Sequence, residues 1–544
     1  MANNKVEPVS EDPASQADVQ KKRRRRRIAI ALIVSGLAVL AIATIAAIVG
    51  VSSLHSGSSP PEEQSPTHII YMLADDLGWN DLSWHDSSMI TPHLQRLADE
   101  GVILENLYMM SLCSPSRTSL MTGIYASRTG TQHITFKACR GHGLPTDLTT
   151  LPQALKEVGY KTYIVGKWHL GFCNEDYLPN ARGFDKFFGF YKGGFDFYNH
   201  SSSEFGPYSP GQYLGYDLHE DIAGQPSIQV TDNVTYSTEL FRDKILEYIE
   251  DHDPSDPMFL FVPFQQPHMP TDVPTEWADM YKETVSDLIR RNYSGQVTIM
   301  DDVVGDIRTK LEERGMFEDS LLIFHGDHGG DVQYMASNWP YRGNKGTFFE
   351  GGIKGAGLIS GKGIEKTGYR NYELYHVTDI FPTLVESVAK GTVDSNDLDG
   401  MNVWESLSTG SPSPRDEFLI VVDEDITNDT EVAALRYGDW KLIEGYPAFI
   451  KDPSWALFDW YKPPYHGMDV IEGPPLSGLT TYLFNLRDDP FEEHNLADNN
   501  PEMVDFLHNK LDEYREASIP PFWPPILQGC DPQLYNGFWS PGFC

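Results

Sequence analysis

Basic side chains are scarce in this chain. Lys and Arg number 42 against 78 Asp and Glu, for a formal net charge of −36 at pH 7. Residues 1–27 hold eight basic and four acidic side chains, so the remainder carries about −40. Such a surface excludes general nucleic-acid binding, which needs basic patches to neutralise phosphates. An anionic substrate in a locally basic pocket stays open. Long apolar runs are equally rare. One stands out, Ile28–Val51, which runs 24 residues without a charge directly after K-K-R-R-R-R-R, Lys21–Arg27. As a helix at about 1.5 Å per residue it would span roughly 36 Å, enough for a bilayer core. Its length predicts a signal anchor rather than a short cleaved signal, and the basic run predicts a cytoplasmic N-terminus. The chain therefore reads as a single-pass type II membrane protein. Its bulk would be luminal or extracellular, in the secretory pathway, the lysosome or at the cell surface.

Cysteine is scarce too: Cys113, Cys139, Cys173, Cys530 and Cys544. If Cys113 is chemically altered, four remain, a number suited to two disulfides in an oxidising compartment. Three connectivities are possible, and bridges tying the C-terminal tail to the Cys139/Cys173 region are favoured. Four N-x-S/T sequons, at Asn199, Asn233, Asn292 and Asn428, are glycosylation candidates in a luminal chain. At 544 residues more than one domain is expected. Composition suggests a basic tail (1–27), an anchor (28–51) and a Ser/Pro/Gly-rich stalk (52–66).

Short apolar runs recur, each stopping at a polar cluster. His68–Leu73 ends at Asp75 and Asp76. Tyr160–Val165 leads to Lys167 and His169, Met258–Val262 to His268, and Ser320–Phe324 to Asp327 and His328. Helical patterns intervene, at Pro92–Glu100, Leu151–Val158, Ser237–Ile249 and Val303–Arg314. Alternation of this kind predicts an α/β fold with a largely parallel sheet. Ligands bind outside the carboxyl ends of such strands, so the clusters are expected to converge on one site. Singly each has a plain reading: Asp pairs cap turns, and a His between prolines can be a loop residue. Asp301 and Asp302, inside a helical pattern, read as helix surface. A further loop, R-G-N-K-G-T-F-F-E-G-G, offers Lys345 as an anion ligand.

The stretch C-S-P-S-R-T-S-L-M-T-G, Cys113–Gly123, has Pro where a first helical turn would be, which predicts Cys113 at a helix N-terminus. Free N–H groups and the helix dipole favour an anion there, and Arg117 lies one turn along. This stretch resembles the sulfatase signature, in which the Cys is oxidised to formylglycine. The resemblance extends through A-D-D-L-G, G-K-W-H-L-G, Q-P-H, G-D-H-G-G and the Lys345 loop to Y-L-F-N-L-R-D-D-P. Within the family the stretches R-T-G-T-Q-H, L-P-N-A-R-G-F-D and N-W-P-Y-R-G-N-K are most similar to the arylsulfatase B, I and J group.

The resemblance implies an alkaline-phosphatase-like α/β domain (67–410) and a smaller C-terminal α+β domain (411–544) with an antiparallel sheet, with the break in S-T-G-S-P-S-P. It implies a calcium ion held by Asp75, Asp76, Asp327 and His328 beside the formylglycine made from Cys113. Position 328 is commonly Asn in the family, and an imidazole is a softer ligand than an amide oxygen. Lys167, His268 and Lys345 would hold sulfate oxygens, His169 would act as base, and Arg117 would orient the formylglycine. The implied partners are a sulfated sugar such as N-acetylgalactosamine 4-sulfate, or an aryl sulfate, the formylglycine-generating enzyme, and a membrane. Two other readings compete: a phosphomonoesterase or phosphonate hydrolase of the same fold, and a catalytically silent glycan-binding membrane protein. Cys113 followed by P-S-R speaks against the first, and the presence of Cys113, Lys167, His169 and Lys345 against the second.

Overall fold

All four predicted strands form, and each ends one or two residues beyond its predicted end. A computed structural model describes residues 66–205, 212–232, 234–394, 397–425, 430–449, 460–462, 469–471 and 481–544. The basic tail, the anchor, the stalk up to residue 65 and the sequons at Asn233 and Asn428 lie outside the described residues. Among the described residues no helix is long and apolar enough to cross a membrane.

The strands in chain order are β1 (His68–Ala74), β2 (Val102–Tyr108), β3 (Lys161–Lys167) and β4 (Lys186–Phe190). A hairpin of β5 (Ser201–Phe205) and β6 (Gln212–Tyr216) follows, then β7 (His219–Ile222), β8 (Ile228–Gln229), β9 (Met258–Pro263) and β10 (Ser320–Gly326). Next come β11 (Lys354–Gly361), β12 (Tyr369–Asn371) and β13 (Tyr375–His376). All but the separate β5–β6 hairpin form a mixed sheet in the order β12-β2-β11-β10-β1-β9-β3-β4-β7-β8, with β13 also on β2. Its centre, β10-β1-β9-β3-β4, is parallel throughout, and the next strand on either side, β11 and β7, is antiparallel. A parallel centre buried on both faces explains why its strands read as unbroken apolar runs.

Alternation along β1 divides the core. Ile70 and Met72 face the cluster that holds Phe241 and Ile245 of α4 (Ser237–Asp251) and Val297 and Val304 of α5 (Leu288–Glu313). Ile69, Tyr71 and Leu73 face Leu120 and Met121 of α2 (Cys113–Thr122) and Leu151 and Leu155 of α3 (Leu151–Glu157). α1 (Pro92–Glu100) packs on the first face through Leu94 and Leu97.

One expectation is overturned here. Asp301 is not helix surface but buried, 1% exposed. Its carboxylate accepts the N–H groups of His93 (3.0 Å) and Leu94 (2.7 Å) in the first turn of α1. α1 opens with no side-chain cap of its own. A carboxylate from α5 therefore serves the orphan donors and complements the helix dipole.

Beyond residue 410 a second, antiparallel sheet runs β14 (Glu417–Asp425), β15 (Thr430–Tyr437), β16 (Trp440–Glu444) and β19 (Thr481–Asn485). A separate two-stranded pair, β17 (Trp460–Lys462) and β18 (Asp469–Ile471), lies between. α6 (Pro501–Ala517) covers the sheet through Leu507 and Leu511, in one cluster with Tyr108, Phe348 and Phe349 from the main sheet and its loops. At that junction Lys441 Nζ lies 3.0 Å from Glu350 Oε1, both buried. Burial would raise Glu350, but Lys441 and two further cations outweigh it and hold its carboxyl at about 2.

The tail then returns to the main sheet. Cys530 pairs with Cys139 and Cys544 with Cys173. Leu527 N–H donates to the Cys139 carbonyl (2.7 Å) and Gly542 N–H to that of Cys173 (2.8 Å). Cys113 is left as the free, buried thiol.

Candidate active site

The carboxyl ends of β1, β3, β9 and β10 lie side by side in the sheet, so their polar termini meet. Asp75 and Asp76 follow β1, and Lys167 closes β3. Two residues later His169 adopts φ 56°. His268 follows β9, and Asp327 and His328 follow β10. Strand ends need room to come this close. A Cβ on Gly166 would lie 2.1 Å from the Pro263 carbonyl oxygen, so only glycine fits beside Lys167.

Cys113 is the first residue of α2, with Leu112 extended before it and Pro115 in the first turn, as the sequence predicts. The Cys113 Sγ lies 3.1 Å from His328 Nε2 and 3.6 Å from Asp75 Oδ1. Lys167 Nζ donates to Asp75 Oδ2 at 2.5 Å and Lys345 Nζ to Asp76 Oδ1 at 2.6 Å. Arg117 donates to Asp327 Oδ2 through Nε (3.2 Å) and Nη2 (3.0 Å), and through Nη1 to the Lys167 carbonyl (3.1 Å). Of the ten predicted residues, Cys113 included, nine are thus in or against one buried cluster, His268 through Nε2 at 3.8 Å from Asp76 Oδ2, and His169 stands beside it. His169 and His268 line the adjoining cavity with Cys113 and Lys345.

The charges are strongly coupled. Burial would raise Asp75, but Lys167 and other cations outweigh it and hold its carboxyl well below the usual range. Asp76 is lowered in the same way, mainly by Lys345, whose own ammonium is lifted well above its usual value by Asp76 against the cost of burial. Burial, reinforced by Lys167 and Arg117, pushes His169 well below 6.5, so its ring is neutral at physiological pH. Its Nε2 faces the Phe136 carbonyl at 3.3 Å, and Nδ1 is buried with no partner. Since a carbonyl can only accept, the hydrogen sits on Nε2 and the Nδ1 lone pair is free to take a proton.

The cluster fits a divalent cation. One ligand atom each from Asp75, Asp76, Cys113 and His328 lies within 4.8 Å of all the others. Asp327 Oδ1 is 3.3 Å from His328 Nε2. Asp76 Oδ2 and Asp327 Oδ1 are buried and accept no hydrogen bond, which is costly for a carboxylate oxygen unless a cation meets it. His328 Nδ1 bonds the Gly329 carbonyl at 2.8 Å, which turns Nε2 toward the carboxylates. Burial would lower His328, but Asp327 and Cys113 outweigh it and lift it to about 10. A divalent cation would take the place of the proton that the imidazole otherwise carries among these anions.

Above the cluster opens a cavity of about 660 Å³. Gly193 and Gly194 form part of its wall: a Cβ on Gly193 would lie 2.6 Å from the His169 ring, and one on Gly194 3.0 Å from that of His268. Three further cations, Lys137, Arg140 and Lys192, line the cavity. The stretch 192–216 reads from sequence as a loop around the pocket, but none of the three is singled out there as a site residue, because loops carry no periodicity. The flanking Cys139 and Cys173 were the available signal. Of the sequons, Asn199 is exposed, while Asn292 is half-buried inside α5.

This geometry can be set beside known proteins. Residues 67–388 match the family model described as Sulfatase. Arylsulfatase J of Mus musculus is 36% identical over 495 residues, covering 88% of this chain and 81% of that protein. N-acetylgalactosamine-6-sulfatase of Mus musculus is 26% identical over 513 residues, covering 88% and 91%. The solved structure of Ps i-CgsB superposes with a TM-score of 0.69 at 25% identity, covering 85% of this chain and 95% of that one. A family match that spans the whole central sheet and every strand end of the site, joined to a 36% identical relative, places this chain in the sulfatase family, as a sulfuric ester hydrolase.

Proposed function

We propose that this hydrolase removes sulfate from a sulfated glycosaminoglycan sugar of the N-acetylgalactosamine 4-sulfate type, with formylglycine in place of Cys113 and calcium as the cation. The supporting observation is Cys113 at the mouth of α2, its Sγ beside the carboxylate and imidazole cluster, under a cavity far larger than sulfate. The Sγ marks the direction from Cβ in which an oxygen of formylglycine lies. Formylglycine supplies, as its hydrate, two hydroxyls on one carbon, one nucleophilic toward sulfur and one whose ionisation reopens the aldehyde. A divalent cation supplies Lewis acidity toward hydroxyl and sulfate oxygens, and Asp75, Asp76, Asp327 and His328 would hold it.

The chain's own residues do the rest. Lys167, Lys345 and His268 hold sulfate oxygens and offset the charge that develops on them. Lys345 or His268 gives a proton to the departing sugar oxygen. His169 Nδ1 takes the proton of the second hydroxyl. Arg117, fixed by Asp327 and the Lys167 carbonyl, orients the side chain at position 113. The imidazole of His328 makes the ligand set less purely oxygen than calcium usually takes.

The sugar follows from the arylsulfatase B, I and J resemblance and from the name of the N-acetylgalactosamine-6-sulfatase relative; between the 4- and 6-positions the first favours 4. The domain break near residue 410, the anchor over 28–51, a luminal or extracellular location and conversion of Cys113 by the formylglycine-generating enzyme complete the proposal. The test is sulfate release from an oligosaccharide ending in N-acetylgalactosamine 4-sulfate, by protein co-produced with that enzyme. Metal content is measured in the same preparation. Release that Cys113→Ala abolishes is expected. Turnover of an aryl sulfate but not of the sugar would overturn the substrate, and bound zinc in place of calcium would overturn the cation.

A further inference from the structure

Two tryptophans of the C-terminal tail hold two cations against the cavity wall. Lys192 Nζ lies 3.9 Å over the Trp539 ring and donates to the Ser203 carbonyl at 3.0 Å. The Arg140 guanidinium lies 4.2 Å over the Trp523 ring and bonds the Pro524 carbonyl. Both cations line the cavity, and so does Lys137, which is exposed and makes no ion pair with a described residue. The disulfides from Cys139 and Cys173 fix the same wall to the tail.

In the proposed mechanism Lys167, Lys345 and His268 hold the ester sulfate, which leaves these groups for another anion. The wall also carries carboxylates. Asp196 Oδ1 accepts the N–H groups of Tyr198 and Asn199 at 2.9 and 2.8 Å and serves its own turn. Glu204 accepts the Ala138 N–H at 3.2 Å and acts on both Arg140 and Lys192. Asp196 and Glu204 on the wall, and Asp217 through its action on Lys192, thus stand against the three cations, so an anion would be drawn by the donors these cations present rather than by a net positive wall. An aromatic face holds a cation in place without neutralising it. An ammonium has three donors and a guanidinium five, so both keep N–H groups beyond the carbonyls they serve.

We infer that Arg140, Lys192 and Lys137 form a second anion subsite, which takes a carboxylate or a second sulfate on the sugar next to the one that loses its sulfate. This rests on the sulfated-sugar reading above. The guanidinium matches either anion by paired hydrogen bonds, and its stacking on Trp523 sets its plane before the ligand arrives.

The test measures inhibition of aryl sulfate turnover by three disaccharides, using the holoenzyme. Each ends in sulfated N-acetylgalactosamine. The neighbouring sugar carries a carboxylate in the first, the corresponding alcohol in the second, and the alcohol with an added sulfate in the third. At least one anionic disaccharide is expected to inhibit about tenfold more tightly than the neutral one, and comparison of the two identifies the anion. Arg140→Gln and Lys137→Gln are each expected to bring that ratio toward one. Should Arg140→Gln fail to fold, the exposed Lys137 still supplies the comparison. Equal inhibition by all three, or a ratio unchanged in the variants, overturns the subsite while aryl sulfate turnover keeps the sulfatase reading standing. Absence of turnover overturns both.

Discussion

At the scale of single residues the proposed mechanism rests most on Lys167, His169, Lys345 and His328. Two lysines are each tied to one carboxylate in the absence of substrate, at 2.5 and 2.6 Å. They are therefore placed before sulfate arrives, which is what electrostatic stabilisation requires. Lys167→Ala and Lys345→Ala are each expected to lower kcat by about 10²–10³-fold, the usual effect of removing one such donor. Steady-state kinetics with an aryl sulfate checks this, and turnover within a factor of two of the parent would sink the assignment. A second residue-scale prediction concerns His142 on the cavity wall. Burial pushes it from 6.5 down to about 4, and its Nε2 accepts the Lys137 N–H at 2.8 Å. A histidine depressed in the folded state contributes fully above pH 6.5 and loses that contribution as pH falls toward 4. His142→Gln keeps an acceptor but does not titrate. The parent's stability advantage over it should shrink by about 2–3 kcal/mol between pH 7 and pH 4. Urea unfolding at three pH values measures it, and an advantage that grows on acidification contradicts the sign.

At the scale of elements, α1 begins on a borrowed cap. Asp301→Ala removes the carboxylate that accepts two N–H groups of α1 and leaves them buried. A loss of about 1–3 kcal/mol is expected, with kcat unchanged, because Asp301 belongs to α5 and not to the cavity. Thermal unfolding and kinetics on one preparation check both halves. This residue also shows where sequence reading stops. The four strands and the polar clusters at their ends were legible because a parallel sheet buries both faces and puts function at its carboxyl edge. The start of α2 was legible from Pro115 and Cys113. Asp301 was not, since one helix face looks the same whether it meets water or another helix's N-terminus. Arg140 and Lys192 were not legible as placed cations, since loops impose no period and their placement depends on Trp523 and Trp539, 383 and 347 residues further along the chain.

For the whole molecule, the tail is the long-range tie. Cys139 and Cys530 are separated by 391 residues, and Cys173 and Cys544 by 371. Replacing Cys139 and Cys530 together by Ser should cost about 2–5 kcal/mol, the usual range for a native disulfide. Because that bridge flanks Arg140, KM for an anionic oligosaccharide should rise more than KM for an aryl sulfate. Calorimetry and parallel kinetics check the pair of effects, and equal rises in KM would separate the bridge from the wall. The central junction is a second tie: Lys441→Ala leaves the Glu350 carboxylate buried without its nearest ammonium, and about 3–5 kcal/mol of stability should be lost, read by urea unfolding.

The return of the tail to the wall also has a consequence in time. A ribosome makes the loops around Cys113, Cys139 and Cys173 hundreds of residues before Trp523, Trp539 and their cysteines exist. During that interval the wall lacks the two tryptophans and both bridges that close it, while in the finished fold Cys113 is only 2% exposed. If that thiol is converted as proposed, the order of synthesis gives the conversion an interval before the tail and its bridges are in place.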